Sequence, residues 1–174
     1  MADLTDAYAE ALFEIARAEG NLDRVEDELF RFARTLEGSD DLRMTLTDKS
    51  IPAERRQRVV EELLGGKASP VTVALISFVV AVGRGRNLPE IIDKLVARSA
   101  EQRREAVAEI RTAFPLDEDH RRRLATALER ATGKRVDVKE VVDSSVLGGV
   151  VAVIGDTVID GSIRHRLEQL RESF

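Results

Sequence analysis

Near its carboxy-terminal end the chain reads VDSSVLGGVVAVIGDTVIDGSIRHRLEQL, residues 142–170. Glycine pairs, aspartates, a histidine and closely spaced arginines are the residue types of a phosphate-binding or catalytic loop. Their spacing does not support that chemistry. Gly148 and Gly149 are not followed by the Lys-Ser/Thr of a P-loop, and they lack the G-x-G-x-x-G pattern that opens a nucleotide-binding helix. The two histidines, His120 and His165, have no histidine partner at i+4, so no helical zinc pair forms. Asp143, Asp156 and Asp160 stand in turn-like places and do not follow a calcium-loop pattern. No serine lies in a G-x-S-x-G context. No catalytic, cofactor or metal residue is therefore assigned, and the glycines read as backbone devices, a bulge and a tight turn.

The basic pairs Arg103-Arg104, Arg121 to Arg123 and Arg164-Arg166 are the other candidate for function, as a nucleic-acid adaptor. Acids flank them in PLDEDHRRR and SAEQRRE, which favours solvated helix surface. Too few aromatic residues lie nearby for base stacking. A net charge of -5 also opposes a polyphosphate partner. The absence of cysteine removes disulfides and thiolate chemistry. The amino terminus, MADLTDAYAEALFEIARAEG, is acidic and helical, unlike a secretory signal. The longest apolar run, residues 71–83, spans roughly 20 Å as a helix, short of the roughly 30 Å of a bilayer core.

The elements that carry these residues divide the chain near Glu105. Before it the apolar period is helical, and short connections predict an antiparallel six-helix bundle over residues 1–105. A first helix covers Thr5 to Ala18. A second, Asp23 to Leu36, carries the stripe Leu29, Ala33, Leu36, and a short third lies around Asp40 to Leu46. Ser50 is expected to cap a fourth, closed by Gly65-Gly66, and Pro70 opens an apolar fifth that ends at Gly83 and Gly85. A sixth starts at Leu88-Pro89. Residues 106–174 then predict a small α+β domain, so the fold class is mainly α. Ala108, Ile110, Thr112 and Phe114 alternate with polar residues as a half-buried strand. Asp117 caps a helix closed by Gly133, Val136 and Val138 mark a second strand, and GVVAVI is a central strand turning at Gly155-Asp156. Asp160 is expected to cap a last helix with the stripe Ile163, Leu167, Leu170.

The feature in excess is apolar helix surface. The first helix carries two stripes, one of Leu4, Tyr8, Ala11, Leu12 and Ile15, the other of Ala9, Phe13 and Ala16. One stripe is enough to join a core. The fifth helix is apolar nearly all round. Two such helices in one small bundle point to a groove that receives an amphipathic helix from a partner.

The terminal segment resembles the signature that ends the delta subunit of bacterial F-type ATP synthases, a family similar to the mitochondrial oligomycin-sensitivity-conferring protein. Asp143, Gly148, Gly149, Asp160, Gly161, Ser162, Leu167 and Leu170 match that pattern. YAEALFEIA, residues 8–16, resembles the family's opening helix, and GRGRNLPEIID resembles the segment before its sixth helix. Asp6 and Ala7 depart from the pattern, standing where the family often has a basic residue. The resemblance implies a non-catalytic stator subunit without cofactor. It would join the b-subunit stalk to the catalytic head, on the cytoplasmic face of the membrane. It also implies a groove between the first and fifth helices for an amino-terminal helix of an alpha subunit. Tyr8, Ala11, Leu12, Ala74, Leu75 and Phe78 are then the expected groove residues. Arg164, Arg166, Leu167 and Leu170 are the expected contacts with the end of the b subunit.

Overall fold

The computed structural model describes residues 4–103, 105–146 and 148–161. The chain forms two compact units, Met1–Ser99 and Ala100–Phe174. It is mainly helical, with one four-stranded sheet.

The first unit contains α1 (Leu4–Ala18), α2 (Leu22–Gly38), α3 (Asp40–Thr47), α4 (Ala53–Leu64), α5 (Pro70–Ala81), a 3₁₀ turn (Gly85–Asn87) and the start of α6 (Leu88–Arg103). Their apolar stripes meet in a core of Leu12, Phe13, Leu29, Leu36, Leu46, Ile76, Leu88, Ile91, Ile92 and Leu95, all fully buried. Glu26 of α2 is buried too, and it accepts a 2.7 Å hydrogen bond from the Ser99 hydroxyl of α6. A buried carboxylate needs such a donor to offset its lost hydration.

Local signals account for most helix ends. The Ser39 and Ser69 hydroxyls accept the N–H groups of Leu42 and Thr72, starting α3 and α5. Ser50 does not cap α4. The Asp48 carboxylate takes the Ser50 N–H at 2.8 Å in a tight turn, and Pro52, with no side-chain cap, occupies the N-cap position. At the end of α5, Gly83 N–H bonds Val80 C=O and Arg84 N–H bonds Val79 C=O, a paired closure that stops the helix. The following Gly85 is a matter of space. A Cβ there would lie 2.7 Å from the Leu46 carbonyl oxygen, so only glycine lets this turn rest on the end of α3.

The second unit contains β1 (Glu105–Thr112), α7 (Glu118–Thr132), β2 (Arg135–Val142), β3 (Val150–Ile154) and β4 (Thr157–Asp160), with strand order β2-β1-β3-β4. β1 and β2 are parallel, joined through α7. β3 pairs antiparallel with both β1 and β4, and the turn at Gly155-Asp156 makes the expected hairpin. Asp117 caps α7 by accepting the His120 N–H, and Gly133 closes it. Leu128 packs onto Ala108, Ile110, Val136, Val138 and Ala152, the face presented by the alternating pattern. The alternation stops one step earlier than its residues imply. β1 ends at Thr112, whose hydroxyl donates to the Phe114 carbonyl, and the Phe114 side chain is 79% exposed.

Gly148 and Gly149 have φ values of 86° and 81°, a region that side-chain-bearing residues rarely enter, and they deliver the chain into β3. Just before them, Asp143 accepts the Ser145 N–H at 2.8 Å. The Ser145 hydroxyl and N–H hold the Asp143 carboxyl below its usual range, with help from Arg111. Asp160 ends β4, and the Gly161 N–H bonds Val150 C=O at 2.8 Å. Ser162 and the helix expected after Asp160 lie outside the described residues, as do Arg164, His165, Arg166, Leu167 and Leu170.

Candidate functional site

On α1 the face carrying Thr5, Ala9, Leu12, Phe13 and Ala16 is buried in the first unit. A second face leaves Leu4, Ala11 and Ile15 exposed and Tyr8 half-buried. The spacing 4, 8, 11, 15 is that of one continuous helical stripe. On α5, Thr72, Leu75, Ile76, Val79 and Val80 face inward, while Ala74, Phe78 and Val82 stand outward at four-residue intervals. The two outward stripes meet where the Tyr8 and Phe78 rings pack at 6.2 Å between centroids, tilted by 43°. Phe78 is nevertheless 48% exposed. The result is an open apolar strip with one wall on each helix.

Of the six groove residues expected from sequence, Tyr8, Ala11, Ala74 and Phe78 lie on this strip. Leu12 and Leu75 are 1% and 5% exposed, so they form the core beneath it and do not reach a guest. Val82 was missed. Its signal is the four-residue step beyond Phe78, past the last turn of the helix.

Polar contacts at the margins position both walls. Lys94 pairs with Asp6 at 2.8 Å, and Arg98 pairs with Glu10 at 2.9 Å. Both partners advance by four residues, so α1 and α6 run parallel. The acid at position 6, a departure from the family pattern, thus has a cation waiting on α6. The start of α5 is fastened to α2. Glu28 accepts the Ser69 N–H at 2.8 Å and the Thr72 hydroxyl at 2.5 Å, and its other oxygen accepts Arg24 Nε at 2.8 Å. Burial pushes the Glu28 carboxyl upward, but the Thr72 hydroxyl, the Arg24 guanidinium and Ser69 outweigh it and hold the pKa at about 2.

The side chains of the strip are apolar apart from the Tyr8 hydroxyl. Among the described residues no cluster of three acids or histidines can hold a metal, and no helix is long and apolar enough to cross a membrane. His120 is engaged with Asp117, its Nδ1 2.7 Å from Asp117 Oδ1. Acids lie beside three of the described members of the arginine clusters, while Arg123 is exposed with no acid beside it among the described residues. Arg103 pairs with Asp137 and Glu105, Arg121 pairs with Glu140, and Arg122 lies 3.8 Å from Asp119.

Comparison with known proteins agrees with this reading of the fold. Residues 4–174 match the family model "ATP synthase delta (OSCP) subunit". The "ATP synthase subunit delta" of Nocardia farcinica is 46% identical over 168 residues, covering 95% of this chain and 61% of that protein. The protein of the same name from Streptomyces griseus is 39% identical over 171 residues, covering 96% and 63%. The chain thus spans about three-fifths of the length of these curated relatives. A chain in the cryo-EM structure of the Toxoplasma gondii mitochondrial ATP synthase hexamer superposes with a TM-score of 0.56. It is 22% identical and covers 98% of this chain and 97% of that one, a likeness of fold. From the family match over residues 4–174 and the relatives' identities, this chain belongs to the ATP synthase delta (OSCP) subunit family.

Proposed function

We propose that this chain is a non-catalytic stator subunit of an F-type ATP synthase, a link that stops the catalytic head from turning with the rotor. In this reading α1–α6 form a six-helix bundle, in which the parallel run of α1 and α6 departs from a simple up-and-down antiparallel order, and the α1–α5 strip receives an amino-terminal helix of an alpha subunit. The unit Ala100–Phe174 meets the carboxy-terminal end of the b-subunit stalk, with Arg164, Arg166, Leu167 and Leu170 at that contact. The chain then sits on the cytoplasmic face of the membrane through the complex alone. It turns over no substrate and needs no cofactor.

The observation that carries the proposal is the meeting of two exposed apolar stripes at the Tyr8–Phe78 ring pair. An amphipathic helix laid along such a strip buries apolar area on both sides, worth about 25 cal/mol per Å² before the costs of association. A joint under torque requires slow dissociation, which central aromatic packing supplies. The reading is tested by titrating the alpha-subunit amino-terminal peptide into the full chain by calorimetry. Saturable binding supports it, and no heat or shift at high peptide concentration overturns it. Truncation before Asp160 should keep peptide binding and lose capture of the b-subunit tail, and retained capture would move the stalk contact elsewhere.

A further inference from the structure

The α5 wall of the strip ends at Val82, and the next residue, Gly83, lines a cavity of about 620 Å³. Lys49, Arg84, Arg86 and Asp48 stand around the same cavity. Three exposed cations and one carboxylate therefore line one cavity, in a chain whose net charge is -5. Among the described residues none of these three cations meets an acid; the same holds for Arg31, Arg55, Arg58 and Lys67 of this unit, but Lys49, Arg84 and Arg86 line one cavity together. The lone carboxylate is itself engaged. The Ser50 hydroxyl and N–H hold Asp48 below its usual range, and the buried Arg56 adds to the effect.

The cations stand on a rigid base. The hydrogen-bonded closure at Gly83-Arg84 and the close approach of Gly85 to the Leu46 carbonyl tie the α5–α6 connection to the end of α3. Arg84 and Arg86 are thus placed on the same cavity as Lys49. Val82 is followed directly by the cavity-lining Gly83, so the cavity adjoins the carboxy-terminal end of the α5 stripe, and one further helical turn of a guest extends about 5 Å.

We propose that the helix received by the strip carries acidic side chains one turn beyond its apolar stripe, and that Lys49, Arg84 and Arg86 grip them. This rests on the groove reading and adds the chemistry of the partner. The apolar strip supplies the hold, and the basic cavity supplies register and direction, since only one end of the guest meets cations.

Three synthetic peptides of about 18 residues, enough to span the strip, share one apolar stripe. The first carries a Glu pair at its amino end, the second a Glu pair at its carboxy end, and the third Gln at both. Each is titrated into the full chain by calorimetry. One Glu peptide is expected to bind about fivefold tighter than the Gln peptide in roughly 20 mM salt, and to lose that advantage in about 0.5 M salt. The advantage should also vanish in the double variant Arg84→Ala/Arg86→Ala, with Gln-peptide affinity unchanged. Equal binding of all three peptides overturns the inference and leaves the groove reading intact. An advantage that survives the double variant places the acid elsewhere and also overturns it. Failure of all three to bind, together with the alpha-subunit peptide, overturns the groove reading itself.

Discussion

Replacing Phe78 by aspartate tests the groove most directly. In the free chain the ring is 48% exposed, so about half of the roughly 1.5–3 kcal/mol gained by burying a phenylalanine is still to be won when a guest arrives. That is about 1 kcal/mol. The Tyr8–Phe78 pair presents a shaped aromatic edge to the guest, and its loss removes roughly 0.5–1 kcal/mol more. A carboxylate at the centre of an apolar interface adds a desolvation cost of about 1–3 kcal/mol. Together these weaken binding of the alpha-subunit peptide by about a hundredfold or more, at about 1.4 kcal/mol per tenfold. Within the free chain the substitution removes only the packing of a half-exposed ring. That is small beside the roughly 5–15 kcal/mol typical of a folded domain, so Phe78→Asp is expected to stay folded. Calorimetric titration and a circular dichroism melt of the same preparation decide the matter. A variant that melts cooperatively and binds the peptide with unchanged Kd refutes the placement of the groove. Phe78→Ala, which removes the ring without adding charge, should lie between, at roughly tenfold.

Leu12→Ala separates core from groove: it should lower stability by about 2–5 kcal/mol in urea unfolding, while the folded variant binds the peptide within a few-fold of the parent. Glu28→Gln should lower stability at neutral pH by about 1–2 kcal/mol, less than the full shift implies because Arg24 lies in solvent. With its folded pKa depressed to about 2, Glu28 contributes stability above about pH 4.5 and loses it as pH falls toward 2, so parent and variant should converge in acid. A gap that stays constant with pH in denaturant titrations would count against the Glu28–Ser69–Thr72 anchor. Gly85→Ala should lower the melting temperature, since a Cβ 2.7 Å from the Leu46 oxygen forces the turn off α3 at a cost of about 1–3 kcal/mol.

Where one local rule decides a feature, the sequence showed it. Pro70 at the start of α5, Asp117 and Gly133 bracketing α7, and the Gly155-Asp156 hairpin each depend on residues within a turn of one another. Where two local rules compete, it did not. Ser50 is a good capping residue, but Asp48 two positions earlier captures its N–H and places it inside a turn. Phe114 keeps the two-residue period of β1, yet the ladder with β2 ends at Thr112 opposite Val142, and nothing remains to pair with it. The groove residues fall between these cases. Spacing places Leu12 and Tyr8 near one face of α1, and Leu75 and Phe78 near one face of α5. Which member of each pair turns inward is set by neighbouring helices that lie far away in sequence.

The fastening of α5 explains why the strip remains open without collapsing. An exposed apolar face ordinarily gains by rotating inward or recruiting a second copy. Here α5 cannot rotate cheaply. Its first turn is held by Glu28 through Ser69 and Thr72, and the turn beyond its last is seated on Leu46 through Gly85. Its inward face is already filled by Leu75, Ile76, Val79 and Val80. The opposite wall is held in the same way, by the two ion pairs that tie α1 to α6. A receiving surface fixed at its margins loses little freedom when a guest helix docks, so more of the burial energy appears as affinity and as slow release. Charge and capping interactions that contribute modestly to stability thus set the shape of an apolar site whose own residues do not define it.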